Sequence, residues 1–96
     1  MLQLQEGLIS MEGIKVRLNR KYDRAAGDVL FTLRKSRGMT ATAMAKSMGV
    51  SAHYVRAREL GESEVTIAFL LHYATTLDIN VTTIIRRIQH AYDTRK

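Results

Sequence analysis

Residues 40–61 read TATAMAKSMGVSAHYVRARELG, and this stretch decides the fold of the chain. Its pattern predicts two short helices, over residues 40–48 and 51–60, with a turn of a few residues between them. Gly49 can adopt the positive φ that a sharp reversal between two helices requires. Ser51 can accept a backbone N–H bond and thereby begin the second helix. The stretch therefore predicts a tightly connected pair of helices.

Two helices connected in this way have the layout of a helix-turn-helix, in which the second helix lies in the major groove of DNA. Ala45 is the small residue at the position where the two helices must approach closely. The formal net charge is +6, and the first half of the chain is basic whereas residues 59–85 are mildly acidic. This uneven charge suits a molecule with one face for nucleic acid, although it also suits an ordinary solvated basic domain. Together with the helical pair, it predicts binding to double-stranded DNA.

Composition excludes several classes of protein. The 96 residues predict one domain, and the lack of cysteine rules out disulfides and thiolate metal sites. The sequence has no apolar run of the roughly 20 residues that span a bilayer and no secretory signal pattern, so we expect a cytoplasmic protein without a membrane segment. His53, His72 and His90 are not spaced as a metal site, and no nucleophile stands beside a base at motif spacing. We therefore expect no cofactor, no metal and no enzymatic activity.

Residues 1–21 differ in character from the rest, and we treat them as an N-terminal extension to a DNA-binding domain over residues 22–96. Within the extension, residues 14–18 (IKVRL) alternate apolar and basic side chains, as a strand with one buried face does. This pattern predicts a β-hairpin over residues 8–18. A lone hairpin is marginal in water, so it should pack on the helical body or pair with a second chain. The alternatives are a disordered tail, or vector-like residues before a true start at Met11.

The rest of the chain has helical spacing. From Asp23 onward, the apolar residues predict a first helix that ends at Gly38. Thr66 marks the start of a fourth helix, and a fifth runs from Val81 to about Tyr92. The apolar residues on these helices are Val29, Leu30, Leu33, Ile67, Leu70, Leu71, Ala74, Leu77, Ile84, Ile85 and Ile88. Together with the helical pair, they predict an all-α domain of five helices.

The order and spacing of these residues resemble the Xre, or Cro/C1-type, helix-turn-helix family of phage and bacterial repressors over about residues 27–85. The matching positions are Gly27, Leu30, Leu33, Arg34, Gly38, Met39, Thr40, Met44, Ala45, Met48, Gly49, Val50, Ser51, Val55, Glu59, Leu60, Gly61, Ile67, Leu70, Ala74, Leu77, Asp78, Ile79, Asn80 and Val81. The resemblance implies a lambda-repressor-like fold that binds palindromic operators as a dimer. It also implies an ion pair between Arg34 and Glu59, which links the first helix to the end of the recognition helix.

Three positions depart from the family pattern, and one of them is Val65, which stands where a proline is common. Ala41 stands where many relatives have a glutamine that contacts DNA, so one expected contact is missing. Arg58 occupies a position that is usually apolar and buried. A charged residue there makes the rotation of the recognition helix about its own axis less certain to follow the family pattern.

The second helix of the pair presents an outward face for DNA. Val55 lies on its core face, with Tyr54 at the margin of that face. The outward face carries Ala52, His53, Arg56, Ala57 and Leu60. Arg56 is the best candidate to contact a base, because a guanidinium can bond guanine O6 and N7 together; the alternative is a contact with phosphate only. His53 can bond a base edge, and Ala52 or Ala57 can touch a thymine methyl group.

The predicted DNA-binding set comprises seven residues, namely Thr40, Ser51, Ala52, His53, Arg56, Ala57 and Arg58. Arg58 is expected to extend its stem over the edge of the core and to place its guanidinium on a phosphate or near Glu59. Arg34 and Glu59 are expected to be a structural pair and not a catalytic one, because breaking a partly buried pair leaves an unsatisfied charge.

The function that these features favour is a dimeric transcriptional repressor that recognises a palindromic operator. A second hypothesis is the antitoxin of a toxin–antitoxin pair, which would clasp its toxin through residues 1–21 and repress its own operon. A third is an accessory protein that binds DNA with little sequence preference. The extension separates the first two hypotheses, since a repressor needs it for self-pairing and an antitoxin needs it for a partner.

Overall fold

The computed structural model describes the backbone of residues 12–94 and the side chains of residues 20–94. This part of the chain is all-α, and its elements are α1 (Glu12–Ser36), α2 (Ala41–Met48), α3 (Ala52–Glu59), α4 (Ile67–Leu77) and α5 (Val81–Thr94). The predicted fold class of five helices is confirmed. No helix in the described residues is both long and apolar enough to cross a bilayer.

The predicted β-hairpin over residues 8–18 is wrong for residues 12–18, because they belong to α1. Residues 8–11 lie outside the described part of the chain. A five-residue alternation does not separate strand from helix, since Ile14 and Leu18 are also one helical turn apart. Extending an existing helix by one residue is also easier than starting a new element. As a result, α1 crosses the boundary drawn between residues 21 and 22 without a break.

The starts of three helices follow directly from side-chain caps. The hydroxyl of Thr40 accepts the Ala43 N–H at 3.0 Å and begins α2. Ser51 and Thr66 begin α3 and α4 in the same way. Each cap satisfies a backbone donor that lacks a partner within its own helix. The predicted starting points of these helices are therefore confirmed.

The helices surround one hydrophobic core. Each helix in the described chain contributes one of the five largest fully buried side chains, which are Leu30, Met44, Val55, Tyr73 and Ile84. The core therefore depends on every helix, and α3 is fixed in it mainly by Val55.

Three consecutive residues of α1 contact other parts of the fold, and they are Lys21, Tyr22 and Asp23. The rings of Tyr22 and Tyr92 stack with their centroids 3.6 Å apart, which joins α1 to α5. The ammonium group of Lys21 lies 4.4 Å from the centre of the Tyr92 ring. Asp23 accepts the Val65 N–H at 3.1 Å and so joins α1 to the segment before α4. These contacts hold the long first helix against the rest of the domain.

Candidate nucleic-acid interface

The reversal between α2 and α3 is built on Gly49. This residue has a φ of 73°, in the left-handed region that favours glycine. Its N–H bonds the Lys46 carbonyl at 3.3 Å, and the Val50 N–H bonds the Ala45 carbonyl at 3.0 Å, which closes the end of α2. Ala45 is buried, as expected for a small residue where two helices meet. The geometry of this segment is a helix-turn-helix.

The far end of α3 is located by a close approach to α1 at Gly27. A Cβ atom on this residue would lie 2.4 Å from the Glu59 carbonyl oxygen and 2.7 Å from the Arg58 carbonyl oxygen. The backbone of α1 therefore lies directly against the last residues of α3, and any larger residue would separate the two helices. Gly27 belongs to the residues that carry the family resemblance, but sequence reasoning did not identify it as the residue that positions α3.

A buried ion pair also fixes the end of α3. Arg34 Nε donates to Glu59 Oε2 at 2.7 Å, and Arg34 Nη2 donates to Glu59 Oε1 at 2.8 Å. Arg34 Nη1 also donates to the Met39 carbonyl at 2.8 Å. The Arg34 side chain is 5% exposed, and that of Glu59 is fully buried. The pair that the family resemblance implies is therefore present, in the two-pronged geometry that guanidinium and carboxylate groups favour.

Tyr73 and Arg56 also bond Glu59, and neither contact was predicted from the sequence. The Tyr73 hydroxyl lies 2.6 Å from Glu59 Oε2 and 2.8 Å from the Leu30 carbonyl, and its single proton can be donated to either oxygen. Arg56 Nη1 donates to Glu59 Oε1 at 2.8 Å. The sequence signal for Arg56 was its spacing of three residues from Glu59 on one helix. For Tyr73, which is 14 residues away, the sequence offered no comparable signal.

These hydrogen bonds shift the titration of the cluster. Burial alone would raise the pKa of the Glu59 carboxyl, but bonds from Arg34, Tyr73 and Arg56 outweigh it and lower the pKa below the ordinary value. The bond to Glu59 raises the pKa of the Arg34 guanidinium. Burial, together with the nearby carboxylate, raises the pKa of the Tyr73 hydroxyl. At neutral pH the cluster therefore holds an ionised Glu59 and a protonated Tyr73.

The stability of the fold in acid should depend on Glu59. A carboxyl group with a lowered pKa stabilises the fold above its ordinary value of 4.5, and this contribution is lost as the pH falls toward the folded value. We therefore expect the free energy of unfolding to decrease below about pH 4.5, and Glu59→Gln to remove this part of the decrease. Urea unfolding of both proteins at a series of pH values between neutral and strongly acid conditions measures the difference.

Asp23 provides a check on the sign of this effect. Burial raises the pKa of Asp23, although the hydrogen bond from the Val65 N–H opposes the shift. Protonation of Asp23 thus favours the folded state in acid, which is opposite to the effect of Glu59. The comparison of wild type with Glu59→Gln cancels this contribution, since both proteins retain Asp23. An identical pH dependence in the two proteins would contradict the role assigned to Glu59.

The outward face of α3 differs in part from its prediction. Exposed residues on or next to this helix are Ser51, His53, Tyr54 and Leu60. Ala57 was expected to face outward, but it is only 7% exposed and its carbonyl accepts N–H bonds from Glu62 and Ser63. The segment after α3 therefore folds back over Ala57, which a helical wheel of α3 alone does not reveal.

One smaller correction concerns the first turn of α3. Ala52 is partly buried and packs against the core, so its predicted outward position is only partly right. Tyr54 is 38% exposed and its ring centroid lies 5.9 Å from that of the buried Phe69, in agreement with its predicted place at the margin of the core face. His53 is exposed, in agreement with its predicted position. His53 and Tyr54 are therefore the most accessible side chains in the first turn of the recognition helix.

Both arginines of α3 are held against the protein. The Arg56 side chain is 37% exposed and donates to Glu59, while its guanidinium carbon lies 5.3 Å from the centre of the Phe31 ring. The Arg58 guanidinium carbon lies 3.4 Å from the centre of the Tyr54 ring, and its Nη1 donates to the Tyr54 carbonyl at 3.0 Å. Arg58 Nε is buried without a hydrogen-bond partner among the described atoms. A contact of either guanidinium with DNA stays a prediction.

Thr40 and Ser51 are exposed, and the structure gives both hydroxyls a capping role. Caps of this kind leave the other amides of a first helical turn available, and such amides are suited to bind phosphate. Ala41, in the first turn of α2, has no polar side-chain group to offer DNA. The candidate interface therefore consists of exposed helix starts and of the first turn of α3.

Comparisons with known proteins agree with this geometry. A family model described as helix-turn-helix matches residues 30–84, which is more than half of the chain. Two crystal structures of the clp gene regulator ClgR from Corynebacterium glutamicum share the fold, each with 24% sequence identity. The first has a TM-score of 0.71 and covers 75% of this chain and 77% of that chain. The second has a TM-score of 0.70 and covers 73% of this chain and 91% of that chain.

No curated protein sequence matches this chain. The family match begins at the buried Leu30, includes the Arg34–Glu59 pair and the capped α2–turn–α3 unit, and ends at Ile84 in the core. It therefore contains α3 and the ion pair that fixes the far end of this helix, whereas Gly27 lies before the matched residues. The chain belongs to the Xre, or Cro/C1-type, helix-turn-helix family of DNA-binding domains.

Proposed function

We propose that this protein is a sequence-specific transcriptional regulator, which acts in the cytoplasm as a dimeric repressor and recognises a palindromic operator with α3. The observation that carries the proposal is a recognition helix whose first turn is exposed and whose far end is fixed by Gly27 and Glu59. A rigidly supported helix with accessible side chains is the form in which this class of domain enters the major groove. The regulatory role of the ClgR structures is consistent with this function.

Affinity and selectivity come from different residues in this proposal. Lys35, Arg37 and Lys46 are exposed and lie at the ends of α1 and α2, where they can neutralise phosphates and provide salt-sensitive affinity. His53 faces solvent in the first turn of α3 and can bond a base edge. The phosphate contacts position the protein, whereas the base contacts select the sequence.

Selection of bound duplexes from a random DNA pool, at several salt concentrations, tests the proposal. We expect a palindromic consensus to emerge, because two copies of α3 would contact two half-sites. A pool that remains random at every salt concentration would contradict sequence-specific recognition. It would favour the accessory role with little sequence preference.

His53→Ala should weaken binding to the selected duplex by about 1–3 kcal/mol and relax the preference at one position of each half-site. The reason is that His53 is exposed in the first turn of α3. Binding curves on the selected duplex and on single-base variants measure both effects. Lys46→Ala serves as the control, since a phosphate contact should weaken all duplexes alike and lower the salt dependence. Equal losses on every duplex for His53→Ala would exclude base recognition by this residue.

We place the dimer contact in residues 1–21. The deletion of residues 1–21 removes the first part of α1 and the Lys21 contact with Tyr92, but it keeps the Tyr22–Tyr92 stack and the described core residues, which begin at Ala25. The shortened chain should remain helical, sediment as a monomer and bind the selected duplex more weakly. A shortened chain that remains a dimer with full affinity would contradict this assignment and favour an interface at α5 around the exposed Ile85.

The same deletion separates the repressor from the antitoxin. If residues 1–21 clasp a toxin, the full-length chain alone should be as monomeric as the shortened one. Sedimentation of the two chains side by side distinguishes these outcomes without knowledge of the partner.

A further inference from the structure

Arg56 is the most accessible donor among the described residues that bind Glu59. Oε1 of Glu59 accepts from Arg34 Nη2 and from Arg56 Nη1, each at 2.8 Å. Oε2 accepts from Arg34 Nε at 2.7 Å and lies 2.6 Å from the Tyr73 hydroxyl. If Arg56 moved away, each oxygen of Glu59 would still hold a hydrogen bond from Arg34.

The burial of these groups gives Arg34 and Arg56 different roles. Arg34 is enclosed, with 5% of its side chain exposed, and its removal would leave a buried carboxylate without its main partner. Arg56 has 37% of its side chain exposed, so its bond to Glu59 competes with solvent and contributes little to the fold. Arg34 therefore neutralises Glu59, and Arg56 is an additional donor that can leave.

Arg56 also rests on an aromatic ring at the surface. Its guanidinium carbon lies 5.3 Å from the centre of the Phe31 ring, and Phe31 is 38% exposed. A cation near an exposed ring is attracted to it only weakly. Both contacts that hold Arg56 to the protein thus involve a partly exposed guanidinium, and a pair of acceptor atoms on a ligand can compete with them.

We propose that Arg56 is an exchangeable donor, which is bound to Glu59 and Phe31 in the free protein and moves to a pair of DNA acceptor atoms when α3 enters the groove. The inference rests on the proposed DNA-binding function and adds how Arg56 takes part in it. The acceptors are guanine O6 and N7 or two phosphate oxygens, since a guanidinium binds either pair with parallel hydrogen bonds.

Weakening the contact between the Arg56 guanidinium and the Phe31 ring should increase the affinity of the protein for DNA. In Phe31→Leu, the ring that attracts Arg56 is lost while an apolar side chain remains, so less energy is needed to release Arg56. We expect the affinity for the selected duplex to rise about two- to fivefold, which corresponds to the strength of an exposed cation–π contact. In the Arg56→Ala background, Phe31→Leu should leave affinity unchanged, and thermal unfolding checks that each variant is folded. If Phe31→Leu lowers the affinity while Arg56 is present, the exchange is overturned. Arg56 would then contact DNA while it is still bound to Glu59.

Arg56→Ala distinguishes the two kinds of acceptor. If the acceptor is guanine, affinity for the selected duplex should fall about 5- to 150-fold and the preference at one base pair should relax. If the acceptor is phosphate, all duplexes should weaken alike and the salt dependence should decrease. Arg86→Ala is the matched control, because it removes the same charge from an exposed position on α5. Equal effects of the two variants would overturn the proposal.

Arginine side-chain NMR tests the exchange directly. The guanidinium resonances of Arg56 should shift when the selected duplex is added, while those of the buried Arg34 should stay in place. If the amides of α3 shift but the Arg56 guanidinium does not, the exchange is overturned and DNA binding stands. A chain that binds no duplex overturns the proposed function, and this inference with it.

Discussion

Replacing Gly27 with alanine should destabilise the fold by about 3 kcal/mol, at the upper end of the range for overpacking in a core. The same change normally stabilises the interior of a helix by about 1 kcal/mol. Here the added Cβ would lie 2.4 Å from the Glu59 carbonyl oxygen, so α1 and α3 would have to separate. Thermal unfolding should show a loss of about 4–8 °C in Tm for each kcal/mol. DNA binding should also weaken, because α3 would be displaced.

Gly38→Ala is the matched control for this prediction. Gly38 has a φ of 71°, and a Cβ built on it has no described atom within 4 Å. The control should therefore lose about 1–2 kcal/mol through the left-handed conformation alone and should not displace α3. If the Gly27→Ala variant is as stable as wild type, the close approach of α1 to α3 does not affect the free energy of unfolding.

Replacing Arg34 should lower the free energy of unfolding by as much as the replacement of Gly27 does. Arg34→Met leaves the fully buried Glu59 carboxylate without its two-pronged partner, so we expect a loss of about 3–5 kcal/mol in the free energy of unfolding. Tyr73 and Arg56 still donate to this carboxylate, which places the expected loss nearer the lower bound. Urea unfolding of Arg34→Met and wild type measures the difference.

The double variant tests whether Arg34 and Glu59 act as a pair. Glu59→Gln alone leaves the Arg34 guanidinium buried without a carboxylate. In Arg34→Met/Glu59→Gln neither charge remains, so its loss should be smaller than the sum of the single losses, with a coupling of about 1–3 kcal/mol. Arg56→Met is the control arginine, and it should cost less than about 1 kcal/mol because its side chain is partly exposed. Strictly additive losses would mean that the buried pair is not a coupled unit.

Local chemistry explains which parts of the fold were predictable. Thr40, Ser51 and Thr66 cap helices through atoms within three residues of themselves, so their effect can be inferred from the sequence alone. The left-handed φ of Gly49 is local in the same sense. The Arg34–Glu59 pair joins residues 25 apart, and only the family resemblance predicted it.

Predictions failed where one periodic pattern fits both a strand and a helix, or where a segment outside the helix covers a residue that was expected to be exposed. The alternation over residues 14–18 is compatible with both a strand and a helix, and the helix that continues through them decided between the two. Ala57 lies on the predicted outward face of α3, but the segment after α3 covers it. Arg56 lies on the same face and is partly exposed, with its guanidinium bonded to Glu59 and close to the Phe31 ring, and its contact with DNA stays a prediction. A helical wheel of α3 shows Glu59 beside Arg56, but it contains neither Phe31 nor the segment that follows the helix.

The sequence by itself determined the α2–turn–α3 unit and the helix starts, because caps and turn glycines act through neighbours along the backbone. It also determined the basic character of the chain, because net charge follows from composition alone. The tertiary structure decided which side chains of α3 are exposed. It did so by bringing Gly27 and Phe31 of α1 and Tyr73 of α4 to the recognition helix. Those residues lie 14 or more positions from the contacts that they make, and the energy of such contacts depends on distances and burial that only the folded chain establishes.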